Sequence, residues 1–145
     1  MPEGWSQKLI WTFAVMPGGA VPMYDFLDAQ RKQQRRLEFL LTKMRAAAKL
    51  GWEPASRMRK FEPVTDVDDV FEFRTEFVRV QLRVYFAIYR PSTAEGTYLV
   101  ALEATTEKVG KGKIPAPLKA LLGRRLREWE REKQIVPLPD SSDLT

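Results

Sequence analysis

Between Val70 and Arg90 the sequence reads VFEFRTEFVRVQLRVYFAIYR, and every second residue carries a group that could do chemistry. Glu72 and Arg74 are followed by Arg79, Gln81, Arg83, Tyr85 and Tyr89. Phe71, Phe73 and Phe77, then Val78, Val80, Leu82, Val84, Phe86 and Ile88, hold the opposite parity. Alternation of this kind predicts strands with one apolar and one polar face, so guanidinium and phenol groups would share a surface. The 145 residues include no histidine and no cysteine. That removes the commonest general base, the commonest metal ligand, thiol nucleophiles and disulfides. Any acid–base work would fall to carboxylates, lysine, arginine, tyrosine or hydroxyls, and neither a metal nor a cofactor is expected.

The net charge of +5 is unevenly placed. One basic block runs from Arg31 to Lys60 and a second from Lys108 to Lys133, with the acidic stretch FEPVTDVDDVFE between them. Two basic blocks flanking a sheet are the footprint of a polyanion binder. Amphipathic helices with solvated basic faces account for the same distribution equally well. No apolar run approaches the roughly 20 residues of a membrane span. The N-terminal MPEGWSQKLIW lacks the regions of a signal peptide, which points to a cytoplasmic protein that does not engage membranes.

The elements that must position these groups follow from periodicity. KLIWTFAV, residues 8–15, is a strand ending at the turn signal MPGG. Pro22 opens a helix, and Leu37, Leu40, Leu41, Met44, Ala47 and Ala48 continue a helical stripe to Gly51. Residues 22–50 therefore form a bent helix or a helical hairpin. WEPASRMRKFEPVTDVDD reads as a loop. Strands at 70–77 and 79–90 meet at a turn or bulge, TYLVALEATT is a further strand, and KVGKGK is a basic loop. A helix then opens at Pro115 and Pro117, with Trp129 anchoring it to the core. The expected architecture is α+β: a small antiparallel sheet of about four strands, with an N-terminal helical hairpin and a C-terminal helix against one face. One domain covers 1–136, with a flexible tail at 137–145.

Four pieces in this order resemble the RelE/ParE superfamily of type II toxin–antitoxin modules, and in particular its phage-associated HigB-like branch. They are the helical residues 22–50, VFEFR against the family's L-x-E-L-R strand, LRVYF at 82–86 against Y-R-V-L-Y/F, and TYLVALEATTEKVGKGKIP against the strand and basic loop ending in K-T-P. The resemblance covers residues 8–133. It implies a ribosome-dependent, metal-independent endoribonuclease that cuts mRNA, silenced by a cognate antitoxin that is a small DNA-binding protein. Arg74 and Arg83 fall at matching positions, where fixed cationic donors would stabilise the scissile phosphate, with Arg79 close by. Tyr85 would stack on a base. Arg59, Lys60, Lys108, Lys111 and Lys113 would contact the RNA backbone.

The chain departs from the family after the third strand, where a histidine or an aromatic–lysine element is replaced by Glu103 through Lys108. Glu103, on the polar parity, is then the candidate base. The same departure supports the alternative, a catalytically inert relative that binds nucleic acid or a host protein. Glu72 and Glu76 share the face of Arg74 and offer it cross-strand pairing. Arg79 and Arg83 lack an equal supply of acids, which turns their strand toward anion binding.

Overall fold

The computed structural model describes residues 8–91, 96–110 and 112–140. Six strands form one sheet: β1 (Leu9–Val15), β2 (Phe61–Pro63), β3 (Phe71–Phe77), β4 (Val80–Tyr89), β5 (Thr97–Lys108) and β6 (Gln134–Pro137). Their order across the sheet is β2-β3-β4-β5-β1-β6. The β2 to β5 neighbours are antiparallel, β1 runs parallel to β5, and β6 returns antiparallel to β1. The described residues also form four helices: α1 (Pro22–Ala29), α2 (Gln34–Leu50), α3 (Trp52–Arg57) and α4 (Ala116–Glu130).

This corrects the expected architecture. The fold is α+β, but the sheet is mixed and six-stranded, and three helices replace the N-terminal hairpin. The two missed strands have three and four residues, too short to show a period of two. β6 also runs past the boundary expected at 136, and Arg45 donates to the Pro139 carbonyl at 2.6 Å. α3 was hidden because Pro54 breaks the apparent pattern, although proline is tolerated in a helix's first turn, where backbone N–H groups have no intrahelical partner.

Helices cover both faces rather than one. Met23, Phe26, Leu37, Leu40, Leu41, Met44 and Ala55 from α1–α3 pack on Trp11, Phe13, Phe73, Leu82, Val84 and Phe86. Trp11 also donates its indole N–H to the Met44 carbonyl at 2.7 Å, tying β1 to α2. On the opposite face, Leu122 and Trp129 of α4 pack on Ala14, Tyr85, Ala87, Val100 and Leu102. The unbroken run Leu99–Leu102, buried throughout, is what a strand covered on both faces requires. Trp129 thus anchors the last helix as expected, its indole donating to the Gln134 carbonyl at 2.9 Å.

Two local features set the register. Phe77 pairs with Val80, so Val78 and Arg79 alone make the β3–β4 turn. Both have positive φ, 44° and 66°, the signature of a type I′ hairpin, which normally uses Asn-Gly. At Gly96 a Cβ would run into the Lys8 carbonyl, so only glycine lets the chain enter β5 beside the start of β1.

Candidate functional site

The polar parity of β2 to β5 aligns side chains in rows across the sheet. Glu62, Glu72, Tyr85 and Glu103 form one row, and Arg74, Arg83 and Thr105 the next. α4 crosses this face only over the Tyr85–Ala87 end. Beside it lies a cleft of about 400 Å³. Its floor is Glu72 and Arg74. Its walls are Glu62, the β2–β3 loop at Thr65 and Asp66, the β5–α4 loop at Gly112–Ile114, and Lys119 of α4.

The charges in and under this cleft form one connected network. Arg74 pairs with Glu62 at 3.8 Å and with Glu72 at 3.9 Å. Beneath it Arg83, 1% exposed, lies 3.7 Å from Glu72 on one side and 3.7 Å from Glu107 on the other. It also donates to the Gln81 amide oxygen at 2.9 and 3.2 Å. Lys119 closes the rim against Asp66 at 3.1 Å. Glu72 is 7% exposed. Its burial raises the carboxyl above the ordinary value of 4.5, and this outweighs the opposing pull of Arg83 and Arg74.

Of the residues singled out from the sequence, Arg74 is half-exposed at the floor of the cleft and Lys113 lines its wall. Arg83 does not present itself to a ligand, because its guanidinium is committed to two carboxylates and an amide. The expectation that its strand lacked acids overlooked Glu107, which β5 delivers from an unread register. Tyr85 is fully buried, with its hydroxyl against Thr105 and Arg83, and burial raises its pKa; it has no ring face to offer a base. Glu103 is not the cleft's carboxylate. It takes Arg125 of α4 at 3.5 Å and the Ala104 N–H at 3.2 Å, and so anchors the helix.

The remaining cations lie outside this cleft. Arg79 sits in the β3–β4 turn, Lys108 pairs with Val80 at the same end of the sheet, and Arg59 and Lys60 follow α3. Lys111 lies outside the described residues. The cleft is also lined by Glu62, Asp66, Lys119 and above all Glu72, none of them a candidate site residue from the sequence. For Glu72, its place on the parity of Arg74 was the available signal.

Among the described residues no helix is long and apolar enough to cross a membrane. No protein-family model, curated protein or solved structure matches this chain.

Proposed function

We propose that this protein is the toxin of a type II toxin–antitoxin module, a metal-independent endoribonuclease that cuts mRNA on the ribosome. The observation that carries the reading is Glu72 with its raised pKa, set beside Arg74 on the floor of an open cleft rimmed by Lys113 and Lys119. Cleaving RNA without a metal needs a base for the 2′-hydroxyl and cations for the phosphate oxygens. A carboxylate whose pKa is lifted toward neutrality is a better proton acceptor than an ordinary one.

In this mechanism Glu72 takes the 2′-hydroxyl proton and O2′ bonds to phosphorus. The P–O5′ bond breaks, leaving a 2′,3′-cyclic phosphate, and the leaving 5′-oxygen takes a proton from solvent water to become a hydroxyl, while Glu72 returns its proton to solvent. Arg74 and Lys113 hold the non-bridging oxygens. The buried Arg83 keeps Glu72 in place and touches no substrate. The antitoxin, a small DNA-binding protein, would silence the activity.

The inert-relative reading also has an observation behind it: Arg74, Arg83 and Lys119 are all already paired with carboxylates. One experiment separates the two. Purified protein is added to ribosomes translating a defined mRNA, and cleavage is followed by primer extension. The wild type cuts. Glu72→Gln and Arg74→Ala each lose about 10²–10³ in rate, and the wild-type rate rises with pH along a limb centred above 4.5. A wild type that never cuts, together with unimpaired growth of cells expressing it alone, overturns the nuclease reading in favour of an inert binder.

A further inference from the structure

Arg74 belongs to two depressions. Besides the cleft it lines a second groove of about 470 Å³, made with Phe39 and Lys43 of α2, the Met58–Lys60 turn, and Thr75 and Glu76 of β3. This groove lies where β3 runs beyond its short partner, since β2 pairs only with Phe71–Phe73. The two depressions therefore meet at one guanidinium.

Three separate elements bring cations to the second groove: Lys43 from α2, Arg59 and Lys60 from the turn after α3, and Arg74 from β3. Glu76 is the one carboxylate among its lining residues. Apolar surface lies between the cations. Met58 is 57% exposed. The Phe39 ring packs 5.0 Å from Phe77 and carries Lys43 above it at 5.4 Å. Arg59, at φ 59°, is the left-handed residue that ends α3, and the Lys60 N–H closes the cap on the Ala55 carbonyl at 2.8 Å.

We infer that this second groove is a track for single-stranded RNA, holding the nucleotides that flank the phosphate in the cleft. Lys43, Arg59 and Lys60 contact successive backbone phosphates, and an unpaired base lies on Met58 beside the edge of Phe39. Cations interleaved with apolar and aromatic surface are how single strands are held without sequence preference. A duplex would leave its stacked bases out of reach of Met58, and a purely acidic peptide would leave Met58 uncovered. The inference rests on the proposed nuclease reading for the cleft, but is tested apart from it.

The probe is a fluorescent eight-nucleotide 2′-O-methyl RNA, which binds but lacks the attacking hydroxyl. Its affinity is measured by anisotropy from 50 to 300 mM salt, for the wild type and for Lys43→Gln/Arg59→Asn/Lys60→Gln. Each single-strand phosphate contact contributes about −0.7 to the log–log salt slope, so the triple variant should be shallower by about 2 and Lys43→Gln alone by about 0.7. A duplex of the same length and polyglutamate should compete weakly. An unchanged slope in the triple variant overturns the track, and polyglutamate competing as well as RNA makes the groove a protein-binding face instead. If the slope falls as expected while the ribosome assay shows no cutting, the track stands and the nuclease reading falls. If cutting persists with an unchanged slope, the track alone falls.

Discussion

Replacing Arg83 by methionine tests the buried network most directly. The substitution keeps much of the side chain's length and apolar stem, so packing changes little, but it deletes the guanidinium between Glu72 and Glu107. At neutral pH Glu107 loses its ion-pair partner, and Glu72 keeps only the more distant and half-exposed Arg74. Breaking a buried pair by removing one partner costs about 3–5 kcal/mol, because a charge is left in low dielectric without compensation. In a domain of this size each kcal/mol moves Tm by roughly 2–4 °C, so Arg83→Met should melt about 6–20 °C below the wild type at pH 7.5 by circular dichroism. The triple variant Arg83→Met/Glu72→Gln/Glu107→Gln removes the stranded charges and should recover most of that loss. An Arg83→Met protein that melts within about 2 °C of the wild type, or a triple variant no better than the single, would refute the claim that the arginine's main role is to neutralise the buried Glu72 and the half-buried Glu107.

Two further outcomes follow from particular residues. Because burial raises the Glu72 pKa above 4.5, its contribution to stability is full below that value and is lost as pH rises through the folded-state pKa. Thermal melts of Glu72→Gln and the wild type should therefore diverge in the variant's favour from pH 4 to pH 7, and a gap moving the other way would show that Glu72 is held ionised. Val78, 77% exposed at φ 44°, pays for the hairpin turn with a strained β-branched backbone. Val78→Asn should raise stability by about 1 kcal/mol, or Tm by roughly 2–4 °C, and a lower Tm in differential scanning calorimetry would refute the strain argument.

The central strands were legible because they alternate over seven and ten residues, long enough for a period of two to declare itself. α2 was legible from its stripe of leucines. The same parity rule placed Glu72, Arg74, Arg83 and Tyr85 on one face correctly, but parity does not say what lies above a face. Whether Arg83 meets solvent, RNA or glutamate depended on the β4–β5 register and on where α4 crosses. Those are set by contacts distant in sequence: Glu107 reaches Arg83 only through pairing across a bulge at Tyr85/Phe86. Glu103 does lie on the polar face, opposite Tyr85, but its partner there is Arg125 of α4, which no local pattern announces. Short β2 and β6 carry too few residues for any pattern, and their existence follows from the open edges they cover.

The parallel β1–β5 pairing has a consequence for how the chain is made. Thr12 bonds to the Leu99 carbonyl from 87 residues away, and the other side of β1 waits for β6 at 134–137. By contrast β3, β4 and β5 follow one another through short connections, so their pairing closes small loops and forms early. During synthesis at about 5–20 residues per second, β1 stays unpaired for roughly 4–17 s after it is made. Throughout that interval Trp11 and Phe13, which end in the core, have only the first helices to shelter them. Of the described strands, the one made first is paired only after β5 is complete, which makes residues 9–15 the natural point for misassembly to begin.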